Sequence, residues 1–241
     1  MKRTGDTVNI KGDYQYNAAH KGNNVQRFWH YAKKLAIAKY LPPLSSDYIL
    51  DVGCGSGVIT SFLGESGAHV IGIDGNIDAI RFAKNKFGSD RINFVHGLVD
   101  ERRSFERLAD KIYCLEVIEH IYYKQGREML DSFYRLLKPD GSVFLTTPNY
   151  KSMWPFIEVV MDKFELAPTM AKQQHVEHYD KLRLKKLCLE TGFRIRNIRT
   201  NCFLAPWVAP LSINFAKRLD NFENRFSLGG SVLIFILEKE Y

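Results

Sequence analysis

The sequence predicts an α/β fold: a mostly parallel sheet of seven strands, with helices on both faces and a helical cap. Three observations carry this. Short apolar runs alternate with helix-periodic segments from residue 48 onward, and such alternation requires crossover helices between parallel strands. Hydrophobic residues at 45% and charged residues at 25% are those of a globular chain, which excludes a disordered, collagen-like or coiled-coil protein. A chain of 241 residues without repeats suits one large domain.

The elements follow in order. Val25, Phe28, Trp29, Ala32, Leu35, Ala36 and Tyr40 recur every three or four residues, which predicts one buried helical face ended by Pro42-Pro43. Tyr48 to Val52 is a short apolar strand leading into a glycine-rich turn, then a helix from about Val58 to Glu65 closed by Gly67. His69 to Ile73 is a second strand, Ile77 to Phe87 a helix, Ile92 to Val95 a third strand and Lys111 to Leu115 a fourth. A helix from Gln125 to Leu137 runs into Lys138-Pro139-Asp140-Gly141, a turn by composition, before a fifth strand, Ser142 to Thr147. A helical stretch (Met153 to Phe164), a helix (Tyr179 to Glu190), a strand (Phe193 to Ile198), an excursion (Asn201 to Gly230) and a last strand (Val232 to Leu237) complete the chain. The reading is one domain over 1–241: a helical leader (1–45), a ligand-binding core (46–150) and a substrate-side half (151–241) with cap insertions at 151–178 and 201–230.

No apolar run approaches the ~20 residues of a membrane helix, and no apolar segment follows the opening six residues, so neither a span nor a secretory leader is expected. Cys54, Cys114, Cys188 and Cys202 lie far apart with no CxxC pair, which reads as reduced thiols in a cytoplasmic protein. Thirty-four Lys plus Arg against 27 Asp plus Glu leave a net charge of +7, which suits an acidic partner without choosing one. The basic pairs, such as Lys33-Lys34, are scattered and read as solvated surface.

Asp51-Val52-Gly53-Cys54-Gly55-Ser56-Gly57 follows a strand and opens a helix, so its backbone N–H groups can approach a ligand closely. Asp74 ends the second strand, where an acid can bind both hydroxyls of a ribose. A carboxylate at Asp51 would repel pyrophosphate but suits an ammonium or sulfonium. These residues resemble the class I S-adenosylmethionine-dependent methyltransferases, which have a Rossmann-like seven-stranded sheet. The resemblance implies that Asp51, Gly53, Cys54, Gly55 and Gly57 hold the methionine part of S-adenosylmethionine, and that Asp74 with Gly75 holds the ribose. Leu98 and Val99 would flank adenine, Asp100 would meet its amino group, and Leu115 would close the pocket.

Past the fourth strand, Glu116, Glu119 and His120 share one face if the stretch coils helically, and together they could hold a divalent cation such as Mg. His175 and His178 offer a further ligand. The pattern is similar to the ubiquinone-biosynthesis O-methyltransferases, which share Glu-x-x-Glu-His and a downstream His. Asn24-Val25-Gln26-Arg27 resembles their Asn-x-x-Arg leader, which implies that Arg27 meets the cofactor carboxylate. Thr146-Thr147-Pro148-Asn149 followed by Trp154 resembles their segment after strand five. Small-RNA 3′-terminal 2′-O-methyltransferases carry the same Glu-x-x-Glu-His as a metal site. Many metal-free methyltransferases carry a similar Glu-x-x-Glu-His, which implies the alternative that Glu119 pairs with a neighbour and His120 lines the substrate pocket or is a satisfied core residue.

The function expected from these residues is O-methylation of a small-molecule acceptor, lipid-linked or aromatic, with His120, Glu119 and Asn149 in catalytic roles. An RNA 3′-terminal 2′-O-methyltransferase and a non-catalytic cofactor-binding scaffold are the rivals. Nucleic acid is the less favoured partner, because the aromatics of 151–164 lack interleaved cations. Peripheral contact with an anionic membrane and a homodimer both stay open.

Overall fold

The computed structural model describes residues 11–100, 104–163, 175–226 and 229–239, with residue 162 described by its backbone alone. Its strands are β1 (Tyr48–Val52), β2 (His69–Asp74), β3 (Ile92–His96), β4 (Ala109–Leu115), β5 (Leu137–Pro148), β6 (Phe193–Asn201) and β7 (Val232–Lys239). They form one sheet in the order β3-β2-β1-β4-β5-β7-β6, with β7 antiparallel to both neighbours and the other pairings parallel. The strand order reverses between β1 and β4, and in sheets of this kind ligands bind at the carboxyl ends beside that point. All five residues of β1 are buried, as a central parallel strand covered on both faces requires.

The helices are α1 (Tyr14–His20), α2 (Asn24–Tyr40), α3 (Val58–Gly64), α4 (Ile77–Phe87), α5 (Tyr123–Leu136), α6 (Trp154–Lys163), α7 (Lys181–Glu190), α8 (Ala205–Val208) and α9 (Ile213–Glu223). α5 and α7 bury Met129, Leu130, Phe133, Leu184 and Leu187 against one face of the sheet, in the largest apolar cluster. Each such fully buried side chain contributes about 1.5–3 kcal/mol. On the other face, Ala36 and Ile37 of α2 and Leu63 of α3 pack against Ile49, Phe144 and Ile236. α2 begins with a reciprocal cap: the Asn23 side chain accepts from the Gln26 N–H at 2.9 Å, and the Gln26 side chain accepts from the Asn23 N–H at 3.1 Å.

The boundaries differ from the sequence reading where long-range pairing intervenes. Residues 138–141, read as a turn, belong to β5, whose first residue, Leu137, pairs with Ala109. α7 starts at Lys181 rather than Tyr179, because Asp180 caps it by accepting from the Leu182 and Arg183 N–H groups. The 201–230 excursion contains α8 and α9, which pack on α2 through Ala205, Ala209 and Ala216. Residues 164–174 of the expected first cap insertion lie outside the described residues.

Candidate active site

β1 delivers Asp51 and Val52 into the glycine loop at the carboxyl edge of the sheet. Gly53 has φ +76°, and a Cβ there would lie 2.2 Å from Val117 Cγ2, so only glycine lets the loop pass the turn after β4. The Gly53 and Cys54 N–H groups donate to the Ile73 carbonyl at 2.8 and 3.1 Å. The Asp74 carboxylate accepts from the Gly55 and Asn76 N–H groups, both at 2.8 Å, and so ties the loop to the end of β2. Gln15 of α1 lies over the loop, its Oε1 accepting from the Ser56 N–H at 3.1 Å.

Asp51 is 2% exposed and accepts from Thr60 Oγ1 at 2.6 Å. Burial pushes its carboxyl up to about 7, against the opposing Thr60 bond. Burial also raises Asp74, opposed by the two N–H groups it accepts. At the end of β3, Leu98 is exposed whereas Val99 is buried in the main core, and the Asp100 carbonyl accepts from Arg135. Gly75 presents its carbonyl to the His96 ring at 3.0 Å. Arg27 is exposed on α2, and Leu115 is buried on the α2 side of the sheet.

The stretch after β4 is not the helical coil expected from its spacing. Glu116 continues the ladder, its N–H donating to the Thr146 carbonyl at 3.1 Å, and then takes φ +56°. That turn sends its carboxylate toward α2, where it accepts from Trp29 Nε1 at 2.8 Å and pairs with Lys33 at 2.7 Å. Lys33, read as surface, is therefore an internal partner. Only Ile118–His120 coil, as a single 3-10 turn.

Glu119 and His120 sit in that turn, and the Glu119 carbonyl accepts from the Val176 and Glu177 N–H groups at 2.9 and 3.1 Å. This docking brings His175 to them. One ligand atom from each of Glu119, His120 and His175 lies within 4.8 Å of the others. Glu116 and His178, expected as metal ligands, are not in this group: Glu116 faces α2, and the His178 ring stacks on Tyr150 at 4.0 Å. Glu119 is fully buried, with Oε2 accepting from Thr147 Oγ1 at 2.9 Å and Oε1 without a hydrogen-bond partner among the described residues. Burial pushes its carboxyl up to about 7, against the charge of His175. His175 is pulled down by burial, but the Glu158 bond and the charges of Glu119 and Glu158 outweigh this and leave its pKa raised. A buried carboxylate oxygen with no partner, beside two imidazoles, fits a divalent cation. Asn149, expected in a catalytic role, has both amide atoms engaged: Nδ2 donates to the Gly230 carbonyl, and Oδ1 accepts from the Lys151 N–H.

The model of a methyltransferase domain family matches residues 24–198, more than half of the chain. The chain belongs to the methyltransferase-domain family. Its matched segment begins at the first residue of α2 and runs into β6, so it contains the glycine loop, Asp74 and the Glu119–His120–His175 group. Among curated proteins, this methyltransferase-domain chain is similar to the mitochondrial ubiquinone biosynthesis O-methyltransferase of Rattus norvegicus, at 34% identity over 140 residues. That match covers 55% of the chain and 39% of the rat protein, so the chain spans well under two thirds of the length of that relative. It is also similar to the ubiquinone biosynthesis O-methyltransferase of Leptothrix cholodnii, at 27% identity over 77% of each protein. In fold it resembles a solved S-adenosylmethionine-dependent methyltransferase from Archaeoglobus fulgidus, with a TM-score of 0.61 and 22% identity, covering 94% of this chain and 99% of that one.

Sequence reading missed several residues that the fold places here. Thr147 was seen only as part of a segment, yet it holds Glu119. Glu158 bonds His175 at 2.6 Å from within an apolar helix that was read as part of a cap insertion. Nothing in its local pattern marks it, because its partner lies 17 residues away beyond residues 164–174.

Proposed function

We propose that this chain is an S-adenosylmethionine-dependent methyltransferase that acts on a hydroxyl of a small acceptor. The reading is carried by one juxtaposition: the acid-led glycine loop with Asp74 lies on the same strand edge as the Glu119–His120–His175 group. Methyl transfer from a sulfonium proceeds without a covalent enzyme intermediate, so the protein aligns the acceptor oxygen behind the methyl carbon; alignment supplies about 7–11 kcal/mol of the barrier. The glycine loop, where side chains leave room, and Asp51 would receive the amino acid part of the donor, and Asp74 its ribose. A cation held by Glu119, His120 and His175 would supply a lowered hydroxyl pKa. Without a cation, His120 would instead serve as the base that takes the hydroxyl proton. With two imidazoles and one carboxylate, the donor set favours Mn or Zn over Mg. Phe156 and Val159 of α6, the helix whose Glu158 bonds His175, are 62% and 61% exposed and offer apolar surface that an apolar acceptor body could cover. No helix among the described residues is long and apolar enough to cross a membrane.

Asp51 gives the reading a pH signature. The donor's ammonium favours the carboxylate, whereas the free protein holds a carboxyl raised to about 7. Below that value binding must expel a proton, so affinity falls about tenfold per pH unit; well above it affinity is level. Calorimetry of S-adenosylhomocysteine binding in buffers of different ionisation enthalpy checks this: proton release is expected on the acid side, and a flat pH profile would remove Asp51 from the cofactor site.

The function itself is tested by incubating the protein with methyl-labelled S-adenosylmethionine and a cell extract, then separating lipid, small-molecule, RNA and protein fractions. Label is expected in the lipid or small-molecule fraction and is expected to fall on adding a chelator. Label confined to RNA, with salt-dependent binding, would replace this reading with the RNA enzyme. Cofactor binding without transfer to any fraction would leave a scaffold.

A further inference from the structure

His175 and Glu158 form a pair buried almost completely, their side chains 4% and 6% exposed. Glu158 Oε1 lies 2.6 Å from His175 Nδ1. The Tyr150 hydroxyl sits beside both, donating to Glu158 Oε1 at 3.1 Å and lying 2.9 Å from Nδ1. A carboxylate can accept but has no proton to give, so the short contact places the proton on Nδ1. Once the ring is neutral, its lone pair is then on Nε2. The His175 ring stands 4.9 Å, centroid to centroid, from that of His120.

We propose that Glu158 is a positioning residue: it fixes the His175 tautomer with the proton on Nδ1, leaving the Nε2 lone pair as the third donor of the Glu119–His120–His175 group. This rests on the reading of that group as the reactive centre. A histidine serving as a ligand or base is set by the bond its other nitrogen makes. A carboxylate that served only to hold α6 would be costly here. A buried ion pair is often replaced without loss by apolar side chains of similar volume, and α6 already has Trp154 and Ile157 as buried anchors.

The test is nitrogen-15 NMR of the histidine rings in chelator-treated protein, on the alkaline side of the His175 titration, with the signal assigned by its loss in H175N. The wild type is expected to show a proton on Nδ1 and a bare Nε2. E158Q is expected to keep that tautomer, because its amide oxygen still accepts, whereas E158L is expected to shift toward the Nε2-protonated form. E158L is also expected to weaken Mn binding about 10–100-fold, with S-adenosylhomocysteine affinity within about twofold. A wild-type ring protonated on Nε2 would overturn the proposal, as would E158L with both tautomer and Mn affinity intact. Should E158L not fold, the wild-type and E158Q spectra decide. Should the wild type bind no Mn, the metal reading fails while the tautomer result still decides the role of Glu158.

Discussion

Replacing Asp74 with alanine is expected to weaken S-adenosylhomocysteine binding by about a hundredfold or more. The carboxylate accepts from the Gly55 and Asn76 N–H groups, so its loss releases the loop from β2 as well as removing the proposed ribose partner. Hydrogen bonds to a charged group are worth about 1.5–3 kcal/mol each, and two of them account for the expected loss. D74N keeps one acceptor and is expected to lose about tenfold. Calorimetric titration reads both numbers. An alanine variant that binds within threefold of wild type would show that Asp74 is merely a turn residue.

His120 is expected to separate chemistry from binding. H120A should lower kcat by about 10²–10⁴-fold, while S-adenosylhomocysteine affinity stays within about twofold. The reason is position: His120 stands in the 3-10 turn after β4, grouped with Glu119 and His175, and none of the loop contacts to Asp74 involves it. Turnover would be measured on whichever acceptor fraction takes up the labelled methyl group. Near-normal turnover in the variant would show that neither proton transfer nor cation binding runs through this imidazole.

All seven strands were legible because each is a short apolar run or, in β6, an apolar–polar alternation, and the pattern of Asp51, three glycines and Asp74 marks its own turn. What was not legible depended on contacts distant in sequence. The spacing of Glu116, Glu119 and His120 fits a helix face, yet Glu116 stays in the β4–β5 ladder and its left-handed backbone turns the carboxylate to Trp29 and Lys33. Choosing His175 over His178 required knowing that the Glu119 carbonyl docks the Val176 and Glu177 N–H groups. Asn149 looked reactive as a residue type, but the Gly230 and Lys151 backbones use its amide. Asp51 was read as a charge opposite a cationic ligand, and its deep burial, which sets its titration, is a tertiary property.

α2 was read as part of a helical leader with one buried face. Its Ala36 and Ile37 share a cluster with Phe144, Ile234 and Ile236, while Val25, Phe28 and Ala32 share another with Ala205 and Ala216. Trp29 and Lys33 clasp the strand-four turn, and Lys39 and Tyr40 both donate to the Asn224 carbonyl after α9. A chain shortened to residues 46–241 would therefore bare a greasy flank of the central sheet and cast loose the α8–α9 pair. Anyone trimming this protein should keep Asn23, which caps α2, and also α1, whose Gln15 holds the Ser56 N–H of the glycine loop.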